Sequence, residues 1–406
     1  MNYYKIKAQV PEALIKTTTF QCTGVKPVGK VAVGFGLAGD VGKEVLALSP
    51  ESILLITDQT MINHNIAEIV IESLQNQGCK FDIFSEVKPE PKIETARAIQ
   101  KTVRKKKYST IIGLGGGSVM DMAKVASLTA TNQEDIEDYM TGKPLTGKGL
   151  PNILLPTTSG TGSEVSPFIV ISKEEKKLFI KHPFVYPTIA LVDPLLSVTM
   201  PPKTTASTGL DALAHGVEGL VADRNPMTEA LSTKCVEYVF KYLERAYRNG
   251  LDMEARYYMS FASVLGMMSY AQGGGLYAHS MSYLLTLHNG LPHGIGCGIA
   301  LPYTLLFNYD YIETILHDFS EITISEGAQV QGENPAIEVI KEFYNLLRRV
   351  NVPPNLKELA ISKDMITVFA DELRTKYYRD NNPRTLKEKE SQELVSIMWE
   401  GTLKLI

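Results

Sequence analysis

Short apolar runs alternate with amphipathic stretches along the first half of the chain. Such runs between polar or glycine-containing segments are typical of strands buried on both faces, and the stretches between them have helical periodicity. The pattern predicts strands at Lys30–Val33, Ile53–Thr57, Phe81–Phe84, Thr110–Leu114, Ile153–Leu155, Phe168–Ile171 and Ile189–Val192. It predicts helices at Ala38–Ala47, Ile62–Asn76, Ile93–Val103 and Val119–Leu128. The alternation indicates a parallel α/β sheet, whose ligands bind beyond the carboxyl ends of the strands.

The pattern changes at Pro201-Pro202, beyond which strand-like runs nearly disappear. Helical periodicity then predicts helices at Thr228–Arg248, Ala255–Ala271, Pro335–Val350, Ser362–Leu373 and Gln392–Leu405. Because consecutive prolines continue neither a helix nor a strand ladder, we place a domain boundary there. We therefore predict an α/β dinucleotide-binding domain at residues 1–200 and an all-helical, metal-binding and catalytic domain at residues 201–406.

Composition narrows the class of protein. The chain has 406 residues, of which 44% are hydrophobic and 21% charged, which is ordinary for a soluble globular protein. The net charge is −4, and the one basic cluster, Arg104–Lys107, is short. No apolar run reaches the length of about eighteen residues that a membrane span needs. We therefore expect neither nucleic acid nor a membrane as a partner.

The cysteines and the N-terminal residues predict a cytoplasmic location. Cys22, Cys79, Cys235 and Cys297 are scattered without a CxxC pair, which is typical of unpaired, mostly buried thiols in a reducing compartment. Met1–Lys7 lacks the apolar core of a signal peptide.

Two residues in Thr208–Glu218 predict half of a metal site. Asp211 and His215 stand four residues apart in a stretch that resembles the start of a helix. Residues at this spacing lie on one helix face, so their carboxylate and imidazole are presented to the same point. The alternative is an acidic residue favoured by the helix dipole, next to a hydrogen-bonded core histidine.

The other half of the predicted site comes from His279 and His293. They are too far apart for one helix face, so they must converge through a turn at Asn289-Gly290. Three imidazoles and one carboxylate suit Fe²⁺ or Zn²⁺ and leave room for a substrate oxygen.

A glycine-rich turn predicts a site for a pyrophosphate. Gly115, Gly116 and Gly117 follow a predicted strand, and Ser118 stands where a helix N-cap is expected. Glycines let the backbone approach an anion, and helix N-termini bind anions. The alternative is a plain strand-to-helix turn, since this is not the GxGxxG spacing.

Two further features support a nucleotide site. Asp58 ends the second predicted strand, where a carboxylate accepts hydrogen bonds from a ribose diol and favours NAD over NADP. The alternative interpretation of Asp58 is an aspartate that only forms a turn at the strand end. Leu155–Glu164 brings five hydroxyls into a glycine-rich loop after another strand, which suits phosphate, ribose or amide groups. The alternative interpretation of this segment is a solvent-exposed loop without a ligand.

These motifs together resemble the iron-containing (group III) alcohol dehydrogenase family. The matching stretches occur in family order and are Gly115–Lys124, Leu155–Glu164, Ala190–Pro194, Thr208–Glu218 and Leu291–Gly294. The resemblance implies an N-terminal α/β dinucleotide-binding domain and an all-α metal-binding domain. It implies that Asp211, His215, His279 and His293 bind one divalent metal, usually Fe²⁺, although the same ligands accept Zn²⁺ or Mn²⁺.

The resemblance also assigns the cofactor contacts. Pyrophosphate would lie on Gly115, Gly116, Gly117 and Ser118, and Asp58 would face the adenosine ribose. The residues leading towards the nicotinamide would be Thr157, Thr158, Thr161, Ser166 and Phe168. Lys177 matches a family lysine that reaches the nicotinamide ribose, although the neighbouring Lys176 is an alternative.

The implied activity is NAD(H)-linked interconversion of a small primary alcohol and its aldehyde. The metal would act as a Lewis acid on the substrate oxygen, with hydride moving to or from nicotinamide C4. An aldehyde with an anionic tail is an alternative substrate, and a homodimer or larger homo-oligomer is expected. The alternatives are a dehydroquinate-synthase-like, NAD- and zinc-dependent lyase without net redox and a non-catalytic nucleotide-binding protein.

One position departs from the family pattern. Many members carry a second histidine four residues after the third metal ligand, where this chain has Tyr283. Its phenol either takes part in proton relay or shapes the pocket, and an ordinary pKa of about 10 makes it a poor base. Glu218, one turn after His215, either orients that histidine or is a plain helix-face residue.

Overall fold

The computed structural model describes residues 3–11, 18–20, 28–174, 176–324 and 334–405. By its contacts the chain divides into two compact units, Met1–Thr199 and Met200–Ile406. Cys22, one of the four thiols considered above, lies outside the described residues.

The first unit contains the strands of the described chain. They are β1 Thr18–Phe20, β2 Lys30–Val33, β3 Ile53–Ile56, β4 Phe81–Phe84, β5 Thr110–Gly115, β6 Asn152–Pro156, β7 Phe168–Lys173, β8 Lys176–Lys181 and β9 Ile189–Val192. Its α-helices are α1 Tyr3–Lys7, α2 Val41–Leu46, α3 Gln59–Asn63, α4 Ala67–Asn76, α5 Ile93–Lys105, α6 Gly117–Thr129 and α7 Ile136–Met140.

Seven strands form one sheet in the order β1-β2-β9-β6-β5-β3-β4. β1 is antiparallel to β2, and the other pairs are parallel. β3, β5 and β6 are buried along their whole length, which explains their continuous apolar sequences. The chain leaves β3 for β4 on one side and returns to β5 on the other. A ligand-binding crevice is therefore expected at the carboxyl ends of β3 and β5.

The predicted strand at Phe168–Ile171 does not join this sheet. It belongs to β7, which pairs antiparallel with β8 in a separate two-stranded sheet. Burial alternates along β7, as expected for a strand with one exposed face. β8 was not predicted, because its apolar residues are flanked by lysines. Glu174 has a φ of 51° at the turn between the two strands.

Helices are the only regular secondary structure in the described residues of the second unit. Its helices are α8 Pro202–Ala222, α9 Pro226–Arg248, α10 Met253–Gly273, α11 Tyr277–Asn289, α12 His293–Thr323, α13 Pro335–Arg349, α14 Met365–Thr375 and α15 Glu388–Glu400. The predicted class, an α/β domain with an all-helical domain, is confirmed. No helix in the described part of the chain is both long and apolar enough to cross a membrane.

Helix α8 lies at the centre of the second unit. It begins at Pro202, earlier than expected, because proline suits the first helical position, where the missing N–H costs nothing. Nearly every residue from Thr205 to Val221 is buried. Small residues permit this: a Cβ on Gly219 would lie 2.6 Å from Ser269 of α10. α8 is therefore a rigid, enclosed support for the polar residues that it carries.

Candidate metal centre and nucleotide site

Asp211 and His215 lie on one face of α8 and are 3% and 5% exposed. His215 Nε2 is 4.0 Å from Asp211 Oδ1. Asp211 stands more than two turns inside the helix, because α8 begins at Pro202. The alternative explanation of Asp211 as an N-terminal helix charge is therefore wrong, since the dipole effect is confined to the first turn.

Two further helices bring His279 and His293 to the same carboxylate. His279 lies in α11, and the chain reverses after Asn289 through Gly290, whose φ of 66° is left-handed. His293 is the first residue of α12. His279 Nε2 and His293 Nε2 lie 3.8 Å and 3.7 Å from Asp211 Oδ1. The structure thus brings all four predicted ligands together.

The donor atoms fit a divalent cation. Within the described residues, Asp211 Oδ1 and His279 Nε2 are buried and have no hydrogen-bond partner. Such atoms are costly unless something binds them. A tetrahedral ion with bonds of about 2.0–2.2 Å separates two such donors by about 3.4 Å. The observed separations from Asp211 Oδ1, 3.7–4.0 Å, are close to this value.

Glu218 sets the orientation of His279. Its Oε2 lies 2.5 Å from His279 Nδ1, and its oxygens accept the backbone N–H groups of Leu276 at 2.9 Å and Ala278 at 2.7 Å. A protonated Nδ1 that donates to this carboxylate leaves the lone pair of Nε2 facing Asp211. Burial holds the pKa of His279 well below its usual range, so the imidazole is neutral. Glu218 therefore orients His279, a role that the sequence alone did not predict.

Ser282 sets the orientation of His293. Its hydroxyl donates to the backbone carbonyl of His293 at 2.6 Å and therefore accepts from His293 Nδ1 at 2.8 Å. The Nε2 lone pair of His293 is then left for a metal.

Cys297 is a residue of this cluster that the sequence analysis left among the ordinary thiols. It is fully buried one turn after His293, and its Sγ lies 3.6 Å from His293 Nε2. The sequence signal was the four-residue spacing from His293, the same spacing that identified Asp211 and His215.

Tyr283 forms one wall of the cluster. Its ring is stacked on His293, with centroids 5.3 Å apart and planes 18° apart. Desolvation raises the pKa of the phenol to about 12, with the Arg379 guanidinium opposing the shift. At neutral pH the phenol is protonated, so it can donate a hydrogen bond but cannot act as a base.

Arg379 is a cation beside this wall that the sequence analysis did not identify. It follows α14, lies over the Tyr283 ring at 6.0 Å and donates from Nε to Ser280 Oγ at 2.7 Å. No local motif marks this arginine, because only the fold brings it next to α11.

The predicted pyrophosphate site lies between two neighbouring strand ends. β5 ends at Gly115, and α6 begins at Gly117 with Gly116 as its N-cap. Ser118 is therefore the second helical residue, not the N-cap that we expected. A Cβ on Gly117 would lie 2.8 Å from Thr161, which explains the glycine there. The backbone turn thus lies directly against the hydroxyl-rich loop after β6.

The remaining contacts of this loop also involve the glycine turn. The Thr157 N–H donates to the Gly115 carbonyl at 3.0 Å, and Thr158 is the nearest side chain to a Cβ built on Gly116, at 3.5 Å. Thr157, Thr158 and Thr161 are therefore grouped with the predicted pyrophosphate site.

Asp58 follows β3, the strand next to β5. Its Oδ1 accepts the N–H of Met61 at 3.0 Å and caps α3. The preceding Thr57 donates to the carbonyl of Leu114 at 2.8 Å, which ties this strand end to the glycine turn. The position suits an adenosine ribose, while the capping bond is the one expected of a turn-forming aspartate.

Ser166, Phe168 and Lys177 have structural partners. Lys124 donates to Ser166 Oγ and to the carbonyl of Phe168, both at 2.9 Å. Lys177 is paired with Glu90 and donates to Ser172 Oγ at 2.9 Å. The alternative lysine, Lys176, is exposed. These contacts do not group Lys177 with the glycine turn.

A cluster of buried charged residues, which was not predicted from the sequence, lies next to the hydroxyl-rich loop. Burial lowers the pKa of Lys124 to about 8 and raises the pKa of Glu164 to about 7. Ser163 accepts from Lys124 at 2.7 Å and donates to Asp121 at 2.6 Å. The network holds the hydroxyl-rich loop against α6.

Both units match one protein family. Residues 28–194 match the family described as iron-containing alcohol dehydrogenase, and residues 205–399 match the C-terminal part of the Fe-containing alcohol dehydrogenase family.

Similar proteins cover nearly the whole chain. A choline dehydrogenase of Bacillus subtilis is 33% identical over 93% of this chain and 94% of its own length. The long-chain-alcohol dehydrogenase 1 of Geobacillus thermodenitrificans is 30% identical over 91% of this chain and 95% of its own. Among solved structures, the sulfoacetaldehyde reductase of Bifidobacterium kashiwanohense in complex with NAD⁺ is 26% identical, with a TM-score of 0.79 over 93% of this chain and 98% of that chain.

Proposed function

The chain belongs to the iron-containing alcohol dehydrogenase family, and we propose that Asp211, His215, His279 and His293 hold the divalent metal of its reaction. It is a metal-dependent, NAD-linked oxidoreductase of alcohols and aldehydes. This membership removes the two alternatives, a lyase without net redox and a non-catalytic nucleotide-binding protein.

The chain's own residues bind and orient the reactants. When bound, the metal polarises a carbonyl as a Lewis acid, and NAD(H) carries hydride at nicotinamide C4. Asp211 supplies the negative charge of the centre. Glu218 and Ser282 keep the Nε2 lone pairs of His279 and His293 directed at it. Tyr283 forms the pocket wall, with its ring stacked on His293.

One observation is the main support for the proposed metal site. Three imidazole nitrogens from three helices surround Asp211 Oδ1 at 3.7–4.0 Å. Within the described residues that oxygen has no hydrogen-bond partner. A structural polar cluster would pair the oxygen with a donor, whereas a metal site leaves it for the cation.

We assign the cofactor to residues 1–200 and the metal and catalysis to residues 201–406. Gly115–Ser118 would bind the pyrophosphate and Asp58 the ribose. Thr157, Thr158, Thr161, Ser166 and Phe168 would line the path of the cofactor, and Lys177 would have to leave Glu90 to reach a nicotinamide ribose. Fe²⁺ is our first candidate for the metal, with Zn²⁺ and Mn²⁺ accepted by the same ligands.

We expect a cytoplasmic enzyme that forms a homodimer or larger homo-oligomer. These two expectations rest on the thiol pattern and on the family resemblance.

The substrate that we propose is a small primary alcohol or its aldehyde, with an anionic tail as the favoured variant. The similar proteins include enzymes named for choline, a cation, and for sulfoacetaldehyde, an anion. Arg379 next to Tyr283 favours the anion, because a guanidinium attracts sulfonate or carboxylate groups and repels quaternary ammonium groups.

Metal content tests the assignment. Asp211→Ala and His279→Ala should each lose the metal and NADH-dependent aldehyde reduction together, by about 10³-fold or more in kcat/KM. Asp223→Ala, an exposed aspartate at the end of the same helix, should keep both. Full activity in a metal-free Asp211→Ala protein would refute the proposal.

An aldehyde panel tests the substrate class. Aldehydes with an anionic, a neutral and a cationic tail should rank in that order by kcat/KM with NADH. Arg379→Met should remove most of the preference for the anion, by about tenfold or more. A wild-type enzyme that prefers the cationic tail would exclude an anion-binding role for Arg379.

A further inference from the structure

The thiol of Cys297 points into the metal cluster. α12 begins at His293, and Cys297 lies one turn further on the same helix face. Asp211, His279, His293 and Cys297 each present one donor atom, and these four atoms lie within 4.8 Å of one another. Three of the four side chains come from the proposed metal site, and the fourth has no role in it so far.

The spacing of the sulfur fits coordination. At the ligand angles of about 90–120° in a five-coordinate ion, bonds of about 2.3 Å to sulfur and about 2.0–2.1 Å to nitrogen separate these two donors by about 3.1–3.8 Å. The observed distance from Cys297 Sγ to His293 Nε2 is 3.6 Å. By contrast, His215 Nε2 is the imidazole nitrogen farthest from Asp211 Oδ1, at 4.0 Å.

A second observation indicates that a cation belongs in the same space. Asp211 Oδ1 and His279 Nε2 are buried and lack a hydrogen-bond partner within the described residues. Both residues are more than nine-tenths buried. A buried carboxylate oxygen, an imidazole lone pair and a thiol that face one another are stabilised together by a divalent cation.

We infer that Cys297 is a further ligand of the metal, bound as a thiolate, in the enzyme without substrate. The inference rests on the proposed function, because it adds a donor to the proposed Asp211, His215, His279 and His293 set. On coordination the S–H bond breaks, its proton leaves to solvent, and a sulfur lone pair forms the bond to the metal. No atom changes its oxidation state.

The thiolate changes the expected choice of metal. Soft sulfur ligands favour zinc and iron, whereas Mn²⁺ prefers carboxylate, carbonyl and water oxygens. Of the three metals that the other four ligands accept, Mn²⁺ should therefore be the poorest.

X-ray absorption on the zinc-loaded wild-type enzyme without substrate tests the inference directly. We expect one sulfur scatterer at about 2.3 Å in addition to nitrogen and oxygen scatterers. The Co²⁺-loaded enzyme should show a thiolate-to-cobalt charge-transfer band. Neither measurement requires a variant to fold.

Cys297→Ser supplies the matched comparison. It should lose the sulfur scatterer and the charge-transfer band, and lower the ratio of Zn²⁺ to Mn²⁺ affinity about tenfold or more. Cys235→Ser is the control, because Cys235 is also fully buried in the second unit but donates to the Ala212 carbonyl at 3.3 Å. It should keep all three properties.

The outcomes separate the two proposals. A wild-type enzyme that binds one metal through nitrogen and oxygen alone refutes the role of Cys297 and leaves the proposed function intact. A wild-type enzyme that binds no metal refutes both. A sulfur signal that persists in Cys297→Ser also overturns the inference.

Discussion

Two oxygen-bearing side chains determine which nitrogen each of two imidazoles offers. Glu218 lies 2.5 Å from His279 Nδ1, and Ser282 lies 2.8 Å from His293 Nδ1. Without these partners, each ring could turn or change tautomer, and its Nε2 lone pair would leave the centre. The orientation of the ligands therefore depends on residues that do not bind the metal themselves.

The variant Glu218→Gln tests whether Glu218 orients the imidazole of His279. Glutamine keeps an oxygen for the backbone N–H groups of α11 but loses the anionic acceptor for the His279 N–H. We expect metal affinity to fall about 10–100-fold, measured by competition with a chelator. Glu229→Gln, which breaks a surface pair with Arg224, should leave the affinity unchanged. Equal affinities in both variants would contradict the orienting role.

Tyr283→Phe tests the role of the residue that departs from the family pattern. Burial raises the pKa of the phenol to about 12, so it is protonated at neutral pH, and the stacked ring is kept in the variant. We expect kcat/KM to fall less than about tenfold with an unchanged pH profile, whereas loss of a general base costs about 10²–10⁴-fold. A loss in that larger range would show that the hydroxyl takes part in proton transfer.

Two helices approach closely at the start of α12. A Cβ on Gly294 would lie 1.9 Å from the backbone oxygen of Ser207 and 2.9 Å from Asp211 Cβ, both on α8. His293 is the neighbour of this glycine, so the same contact that packs the helices places a ligand beside Asp211. The packing of α12 against α8 thus sets the distance between His293 and Asp211.

Gly294→Ala should therefore affect folding and metal binding together. Overpacking at a backbone contact destabilises by about 1–3 kcal/mol or more and displaces the first turn of α12. Gly290→Ala is the control: its φ is 66°, but nothing lies within 4 Å of its Cβ, so it should lose only about 1–2 kcal/mol. Urea unfolding and metal content measure both effects. Full metal content in Gly294→Ala would contradict this argument.

The whole molecule consists of two compact units, and each unit contains one of the two proposed ligand sites. Each ligand stabilises the unit that binds it, by RT ln(1 + [L]/Kd), which is about 4 kcal/mol at a concentration of a thousand times Kd. The proposed metal ligands all lie in residues 200–406, and the proposed pyrophosphate site lies in residues 1–199.

Hydrogen exchange should separate the two effects. Removing the metal with a chelator should increase exchange in peptides from α8, α11 and the first turn of α12, while peptides from β5 and α6 keep their protection. Adding NADH should protect the Gly115–Ser118 segment. An equal loss of protection in both units after chelation would argue against separate sites.

Local pattern accounts for much of the fold and of the site. Continuous apolar runs indicated the buried strands β3, β5 and β6, and the spacing of Asp211 and His215 indicated a shared helix face. The strand β8 was missed, because its lysines hide the alternation, and β7 was wrongly given to the main sheet. The N-cap of α6 was predicted at Ser118 but lies two residues earlier, at Gly116. Local sequence defines the exact ends of helices poorly.

The amino-acid sequence by itself determined the family, the class of fold and four candidate ligands, because these depend on hydrophobic periodicity and on short motifs in a fixed order along the chain. Only the tertiary structure decided that Glu218 orients His279, that Cys297 faces Asp211 and that Arg379 lies beside Tyr283. The physical reason is that periodicity defines the face of its own helix on which a side chain lies. Which other element packs against that face depends on the packing of the whole unit.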